Sequence, residues 1–318
     1  MSVDYNSERM ARAETNDRVE WFRVIPFLLL HAACGLVLLV GWSWPSVAAA
    51  GFVYAARVFG LTAFYHRYFA HRAFKTSRGV QFLGALLGCS AAQRGPIWWA
   101  AHHRHHHRAS DRHDDIHSPV QQGFIWSHML WFMTRNAYRT NTKLVKDWLK
   151  FPELRLIDRF DFLAPVALAT ALYAIGEVLQ AYWPTSGVSG LQMVVWGFVL
   201  STVALYHVTF SINSLAHRLG SRRYDTRDES RNNWWLALLT FGEGWHNNHH
   251  HFPSSARQGF FWWEVDLTYY GLVVLSWLGI VWELKPVPAR VLSPAQETPK
   301  KGDDRCELPS SGLASADV

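Results

Sequence analysis

The sequence predicts an all-α integral membrane protein, with four transmembrane helices and a cytoplasmic helical cap that carries its histidine-rich segments. Three observations support this fold class. The 318 residues are 15% aromatic and include 17 tryptophans, but only 18% are charged, a bias typical of membrane proteins. Four apolar runs are long enough for a bilayer crossing, which needs about 20 helical residues. Finally, the lysines and arginines lie almost entirely outside these runs.

The apolar runs pair into two helical hairpins. No Asp, Glu, Lys or Arg occurs from residue 24 to 56, and the WSWP interruption at Trp42 to Pro45 divides this stretch. A second uncharged pair follows, divided by a short turn around WPTSG. The predicted helices span about 25–44, 46–65, 162–182 and 187–210.

Composition also predicts the domain boundaries. We expect a cytoplasmic N-terminal segment at 1–23, because its mixed charges do not resemble a cleavable signal peptide. One domain follows at 24–285, and then a disordered tail at 286–318, where Pro, Ser, Lys and Asp dominate. Within the domain, residues 80–92 are too few for an ordinary crossing, and residues 267–282 suit a peripheral packing helix.

Basic residues predict the orientation, because cytoplasmic loops accumulate lysine and arginine. All 31 except Arg57 lie in the N-terminal segment, in residues 66–159 or after residue 210. We therefore expect both termini and the histidine-rich segments to face the cytoplasm. Arg57 falls inside the second predicted helix. A charged residue within a membrane span often has a functional role, and snorkelling to the interface or a structural pairing explains Arg57 equally well.

Histidines recur with spacings typical of metal ligands. The HxxHH pattern, which puts imidazoles on one helical face, occurs at His102, His105, His106, at His103, His106, His107, and at His246, His249, His250. HRYFAH separates His66 and His71 by five residues, about 140° on an ideal helix. That pair shares a centre only if it flanks the metal or if the helix distorts there.

The donor types narrow the metal chemistry. Three cysteines without CxxC spacing indicate neither a disulfide framework nor a thiolate site. Imidazole-rich ligation suits iron, zinc, copper or nickel, and about nine histidines are more than one or two zinc ions need, which favours two redox-active metals. A cationic loop for phosphate or lipid headgroups is the alternative, supported by Arg94, Arg104, Arg108 and Arg112. The predicted topology weighs against it, because every histidine segment emerges on one face.

These motifs resemble the membrane fatty acyl-CoA desaturases of the stearoyl-CoA desaturase type. The resemblance covers about residues 24–285 and rests on HRYFAH, HRHHH, NSLAH and GEGWHNNHH, in family order around four helices. It implies two iron ions, with Asn213 contacting one of them through water. The implied histidine ligands are His66, His71, His103, His106, His107, His217, His246, His249 and His250. The family reads His-Arg-x-His-His, so Arg104 selects the register of His103 and leaves His102 and His105 as neighbours.

The resemblance also implies an activity. The expected enzyme is an oxygen-dependent oxidoreductase that introduces a cis double bond, of the delta-9 type, into a long-chain acyl group. Acyl-CoA is the first expected carrier, and an acyl-phospholipid desaturase or a related membrane di-iron hydroxylase is the alternative. A non-catalytic metal transporter is disfavoured, because it would place its metal-binding residues within several helices.

Two departures from the family bear on the acyl carrier. The animal acyl-CoA enzymes have Arg-Asp where Ala101-His102 stands here, and Arg-Lys where Arg135-Asn136 stands. Positive charge available to the CoA phosphates is thereby reduced. Arg135 remains the candidate substrate-binding residue, with Arg139 and Lys143 in the same loop.

The expected partners follow from what the sequence lacks. It contains no HPGG haem motif, no GxGxxG turn and no clustered cysteines. Two external electrons should therefore come from a separate protein, such as cytochrome b5, ferredoxin or rubredoxin, attracted by the basic face. O2 and the lipid bilayer are further expected partners, and nucleic acid is not expected to bind. We expect the protein in a bacterial cell membrane rather than in the endoplasmic reticulum.

Other residues are expected in supporting roles. Ligating imidazoles usually donate their second N–H to a carboxylate or carbonyl, so the acidic and histidine residues that follow HRHHH are expected beside the centre: Asp111, His113, Asp114, Asp115 and His117. His31 and His207 should make packing or polar contacts, His251 should be a bystander, and His128 structural or substrate-side. The paired tryptophans would line an acyl tunnel or form an interfacial belt: Trp98, Trp99, Trp234, Trp235, Trp262 and Trp263.

Overall fold

The structure, a computed structural model, describes residues 19–292. Four of its helices are long and apolar enough to cross a membrane, which confirms the predicted count: Trp21–Val40, Trp44–Ala70, Leu163–Tyr182 and Gly190–Ser214. The described chain is mostly helical. Most of the predicted N-terminal segment, and the expected tail from residue 293 onward, lie outside the described residues.

The first hairpin consists of α1 (Trp21–Val40) and α2 (Trp44–Ala70). The predicted bounds of 25–44 and 46–65 need correction. α1 ends before residue 44 because Gly41 adopts a φ of 64°, which breaks the helix. Ser43 then caps α2 by accepting a hydrogen bond from the Ser46 N–H. α2 continues to residue 70 because the cap buries its polar end.

The segment between the two hairpins forms the first half of the cap. Its helices are α3 (Arg78–Cys89), α4 (Pro96–Ala109), α5 (Pro119–Gln122), α6 (Lys146–Leu149) and α7 (Pro152–Arg159), with helical turns at Trp126–Leu130, Trp131–Met133, Asn136–Tyr138 and Thr142–Leu144. α3 contains most of the stretch that was too short to cross, and it packs on α2. A Cβ at Gly84 would lie 2.1 Å from the Phe64 ring, so only glycine allows this close approach.

The second hairpin consists of α8 (Leu163–Tyr182) and α9 (Gly190–Ser214), joined through a turn at Pro184–Ser186. α9 begins later than the predicted residue 187, because Ser189 is its N-cap, and it runs past the predicted residue 210. Arg57 is buried and ties the hairpins together, with Nη1 donating to Thr202 Oγ1 at 2.7 Å. The structure therefore favours the pairing role over snorkelling.

The second half of the cap follows α9. Its elements are α10 (Trp234–Leu239), α11 (His246–His251), α12 (Leu267–Trp277) and the antiparallel pair β1 (Lys75–Thr76) and β2 (Val281–Trp282). α12 is shorter than a membrane span. A separate C-terminal unit begins at Pro288, and its described part contains the short helix α13 (Ala289–Leu292).

The buried core lies where α2 enters the cap. Tyr65 and Phe69 are fully buried there, whereas Leu38 and Leu39 of α1 are 86% and 82% exposed. Exposed leucines on an apolar helix suit contact with lipid, and the polar groups are gathered inside the cap. This arrangement places the end of α2 at the centre of the polar region.

Candidate metal centre

Histidines converge in two groups inside the cap. The first group contains His66, His71, His103, His107 and His249, and the second contains His106, His217, His246 and His250. Within each group the nitrogen atoms that could bind a metal all lie within 4.8 Å of one another. The structure thus brings together every histidine that the sequence predicted as a ligand, in an arrangement compatible with metal binding.

The end of α2 explains how His66 and His71 belong to one group. From Gly60 to Ala70 the helix is π-helical, and the His71 N–H donates to the His66 carbonyl at 3.1 Å. A bond between residues five apart stacks them along the helix, whereas an ideal α-helix would separate them by about 140°. The two ring centroids are 4.9 Å apart. The helix therefore distorts at the position where the sequence spacing requires it.

α4 contributes to both groups. His103 Nε2 lies 2.8 Å from His71 Nε2 and 3.0 Å from His107 Nε2, in the first group. His106 faces the second group instead, with its ring centroid 5.4 Å from that of His217. A single helix therefore fixes imidazoles of the two groups relative to each other.

The two histidines found only in the other HxxHH register of α4, His102 and His105, contact backbone carbonyls and belong to neither group. His102 Nδ1 contacts the Trp98 carbonyl at 2.9 Å, and His105 Nε2 contacts the Asp114 carbonyl at 3.0 Å. Arg104 extends from the same helix to the Asp147 carboxylate, 2.8 Å away. The histidines in the register selected by Arg104 are the ones that face the two groups.

α11 and the residues after α9 complete the two groups. His249 Nε2 lies 3.0 Å from His66 Nε2 and 2.8 Å from His107 Nε2. In the second group, His217 Nε2 lies 3.0 Å from His246 Nε2. The groups therefore combine segments that are far apart in sequence.

Carboxylates hold the second nitrogen of several imidazoles. Three such pairs support the second group: His217 with Asp111 at 2.8 Å, His106 with Asp115 at 3.1 Å, and His250 with Asp228 at 2.7 Å. In the first group, the His66 Nδ1 contacts Glu243. Two of these carboxylates, Asp111 and Asp115, were expected beside the centre, whereas Asp114 offers only its backbone carbonyl.

Glu243 and Asp228 were missed by sequence reasoning. Glu243 stands three residues before His246 in GEGWH. This closeness to a histidine motif could have indicated a carboxylate beside the centre. Glu243 also pairs with the buried Arg67 at 3.2 Å, and Arg67 pairs in turn with Asp266. Asp228 gave no local signal, because it lies in a loop that only the fold brings to α11.

Burial dominates the protonation of most imidazoles in the groups. It lowers the pKa of His103, His107 and His249 well below the ordinary value, and lowers that of His250 to about 4. These rings are therefore neutral near pH 7 and can bind a metal. His106 differs: burial is the largest single effect and lowers its pKa, but the charge and hydrogen bond of Asp115 and the charges of Asp111 and Asp228 together outweigh burial, so the pKa is raised.

An apolar cavity of about 280 Å³ ends at the two groups. Its walls include Val24, Phe27, Leu61, Phe132 and Phe210, and it reaches His66, His103, His106 and His246. Asn213 also lines it, and its contact with a metal through water stays a prediction. Arg23, Arg94 and Tyr138 also line the cavity.

Other predicted site residues take different positions. Arg135 is largely exposed and its Nε lies 3.6 Å from Glu20, with no place in the cavity wall, so its role in binding substrate stays a prediction. Trp98 and Trp99 line the cavity. The other four tryptophans are exposed, which suits the interfacial alternative: Trp234, Trp235, Trp262 and Trp263.

The remaining histidines lie outside the groups. His31 Nε2 contacts His207 Nε2 at 3.1 Å, and His207 Nδ1 contacts His128 Nε2 at 3.0 Å. His31 and His207 therefore make the polar contacts expected of them. His251 stacks on Tyr224 with ring centroids 4.1 Å apart.

The two histidines that follow α4 differ from each other. His113 is exposed. His117 is buried, with its Nδ1 3.6 Å from Asp115 and its ring centroid 4.5 Å from that of His106. Only His117 lies beside the second group.

The chain matches known proteins over most of its length. Residues 42–272 match the model of a family described as fatty acid desaturase. The chain is 36% identical to a chloroplastic palmitoyl-monogalactosyldiacylglycerol delta-7 desaturase of Arabidopsis thaliana, over 84% of this chain and 70% of the relative. It is 35% identical to an sn-1 stearoyl-lipid 9-desaturase of Anabaena variabilis, over 85% and 96%. It is also 36% identical to an acyl-CoA 5-desaturase of Anemone leveillei, over 85% and 80%.

Proposed function

The chain belongs to the fatty acid desaturase family, and from that premise we propose that it introduces a cis double bond, of the delta-9 type, into a long-chain acyl group. The observation that carries the proposal is the apolar cavity that ends at two groups of buried imidazoles. Such a cavity suits an acyl chain, which offers no polar handle near the reacting carbons. The family membership and this geometry favour the same chemistry.

Two iron ions are the metals that we propose for the two groups. Each group presents only imidazole nitrogens, which suit a redox-active transition metal. Within the described residues, the buried His250 Nε2 has no hydrogen-bond partner, so the donor set fits an added cation. We propose that the histidines of both groups bind the irons, with Asn213 contacting one of them through water. When bound, the irons would supply the oxidising power, drawn from O2, that removes hydrogen from an unactivated methylene.

The chain's own residues prepare the reaction. The aromatic and aliphatic walls of the cavity exclude water and fix which methylenes lie beside the imidazoles. Asp111, Asp115, Asp228 and Glu243 hold Nδ1 of their imidazoles, so that each Nε2 faces the centre. The shape of the cavity thus positions the acyl chain, and the carboxylates position the imidazoles that would bind the metals.

The acyl carrier divides the proposal into two candidates. Acyl-CoA is our first choice, because Arg135, Arg139 and Lys143 offer cations within one loop. An acyl lipid is the second candidate, since the relatives include a stearoyl-lipid enzyme as well as an acyl-CoA enzyme. Incubating membranes with labelled acyl-CoA under conditions that block acyl transfer separates the two: label in unsaturated acyl-CoA supports the first, and label confined to glycerolipids supports the second.

We further propose a cytoplasmic cap in a bacterial cell membrane, with both termini on the same side as the cap. The distribution of lysine and arginine supports this orientation, and a cyanobacterial relative supports the bacterial setting. Electrons would come from a separate carrier of the cytochrome b5, ferredoxin or rubredoxin type. Thiol labelling of single cysteines placed in α4 and in the Pro184–Ser186 turn would report the orientation.

Product analysis tests the reaction. We would express the chain in a host that makes no unsaturated fatty acids and examine the lipids by gas chromatography with mass spectrometry. Products lighter by two hydrogens support desaturation, whereas products heavier by one oxygen support the related hydroxylase and contradict our first choice. Iron analysis of the active purified protein tests the metal, and well under one ion per chain would contradict a two-iron centre.

A further inference from the structure

We propose that three exposed arginines, Arg108, Arg112 and Arg227, form the docking surface for an acidic one-electron carrier protein. The inference rests on the proposed function, because only an oxygen-dependent reaction at the two groups needs external electrons. Each turnover would consume O2, two electrons, two protons and two hydrogens of the acyl chain, and release two waters. Two encounters with a one-electron donor, which is oxidised at each, supply the electrons.

Each arginine is next in sequence to a residue of the candidate centre. Arg108 follows His107 of the first group. Arg112 follows Asp111, whose carboxylate contacts His217 at 2.8 Å. All three side chains are exposed, so a protein bound on them would lie directly over both groups.

Arg227 has a short connection to the second group. It precedes Asp228, whose carboxylate contacts His250 Nδ1 at 2.7 Å. An electron that enters at the backbone of Arg227 would reach the imidazole of His250 through the Asp228 side chain and a single hydrogen bond. Arg112 has an equivalent route through Asp111 to His217, and Arg108 is joined directly to His107 of the first group.

The loops that carry Arg112 and Arg227 adjoin each other. The Glu229 N–H donates to the Asp111 carboxylate at 2.8 Å, so residues 111–112 and 227–229 meet at one edge of the cap. Arg108 is one turn earlier, at the end of α4. The three cations therefore belong to one region of the surface, which we call the arginine patch.

The charge of the arginine patch is not neutralised by neighbours. Across residues 19–292, none of its three members forms an ion pair, whereas many other surface arginines do, such as Arg72 with Asp147, Arg78 with Glu153 and Arg222 with Glu229. The carboxylates of Asp111 and Asp228 are already committed to imidazoles. Asp114 and Asp225 are exposed acidic residues nearby, and Asp225 lies 3.8 Å from Arg222, outside the patch. Unpaired cations of this kind attract an acidic protein and accelerate its association.

A second set of exposed cations provides the matched control. Lys146, Lys150 and Arg155 are also exposed and form no ion pair within the described chain. None of them adjoins a histidine of either group or a carboxylate bonded to one. Reversing their charge therefore changes the net charge by the same amount without touching the arginine patch.

The test compares two triple variants: Arg108→Glu/Arg112→Glu/Arg227→Glu, and the control Lys146→Glu/Lys150→Glu/Arg155→Glu. The probe is an acidic plant-type [2Fe–2S] ferredoxin, and its binding to the metal-free protein in detergent is measured by surface plasmon resonance at low and high salt. We expect the patch variant to bind at least about tenfold more weakly at low salt, the control by less than about twofold, and the difference to vanish at high salt. Equal losses in both variants would overturn the proposal.

Electron delivery gives the second readout. With iron-loaded protein, ferredoxin oxidation under O2 should slow at least about tenfold in the patch variant, while reduction by dithionite, a small ion that needs no docking surface, should match wild type. If neither reductant delivers electrons to wild type, the proposed function fails. If dithionite works and the patch variant accepts electrons from ferredoxin normally, only the docking surface fails. Should the triple variant misfold, the single Arg227→Gln protein is subject to the same comparison.

Discussion

The two histidine groups hold their imidazoles in different ways. The first has five imidazoles, of which His66 contacts a carboxylate. The second has four, of which three contact Asp111, Asp115 and Asp228. A carboxylate on the second nitrogen fixes the tautomer and makes the ring a stronger ligand, and its charge offsets that of a bound cation. The first group therefore relies on the number of neutral donors, and the second relies on the strength of fewer donors.

Removing an imidazole should have the largest effect in either group. His249→Ala, in the first group, and His246→Ala, in the second, should each abolish desaturation and lower the iron content by about one ion per chain. His251→Ala is the matched control from the same helix, because His251 stacks on Tyr224 outside both groups. Gas chromatography and iron analysis check both effects, and full activity in either ligand variant would disprove the assignment.

Removing a carboxylate should distinguish the groups. Asp228→Asn leaves His250 in place but removes the charge that supports it, so metal affinity at the second group should fall by about 10- to 100-fold. Titration of the metal-free protein with Fe²⁺ under anaerobic conditions measures this loss. Asp225→Asn, an exposed neighbour in the same loop, should bind like wild type, and an equal loss there would show that the loop rather than the carboxylate matters.

Acidification should empty the second group first. The pKa of His106 is raised above its ordinary value of 6.5, because Asp115 and its neighbouring carboxylates together outweigh the lowering by burial. Burial lowers the pKa values of His103, His107 and His249. A proton thus competes with metal at His106 at a higher pH than in the first group. Metal content measured after dialysis at falling pH should drop in two steps, and Asp115→Asn should move the first step to lower pH. A single step in wild type would contradict the difference between the groups.

His117→Ala should have the smallest effect. His117 contacts Asp115 beside His106, but Asp115 keeps its bond to His106 without it. We expect two irons to be retained and activity to fall by less than about tenfold, the lower bound for supporting residues. Loss of one iron would instead make His117 a ligand and give the second group five imidazoles, like the first.

Local spacing predicted the histidines well because helices impose it. The HxxHH pattern in α4 and α11 needs only the periodicity of a helix. That periodicity left two overlapping registers open in α4, and the resemblance to the family, through the position of Arg104, selected the one that faces the groups. The four apolar runs were recognised for a similar reason, since the bilayer sets their length. Their ends were less accurate, because Gly41 and the burial of the end of α2 act through backbone conformation and tertiary contacts.

Partners from distant segments could not be predicted. Asp228 reaches His250 and Glu243 reaches His66 only after the loops fold over the cap. The chain of contacts from His31 through His207 to His128 likewise joins three separate segments. A carboxylate has no spacing rule of its own, so sequence alone identified only those that directly follow a histidine motif.

The π-helical end of α2 and the five-residue spacing of its two histidines depend on each other. His66 and His71 meet because five backbone steps complete one turn there. Deleting one residue between them would leave a spacing of four, which an ordinary α-helix already places on one face, so the π-helical turn would no longer be needed. At the present spacing of five, an ordinary α-helix would instead turn the two imidazoles about 140° apart. A one-residue gap between these two positions, in an alignment with any relative, would therefore mark a protein that brings the two imidazoles together on an ordinary α-helix.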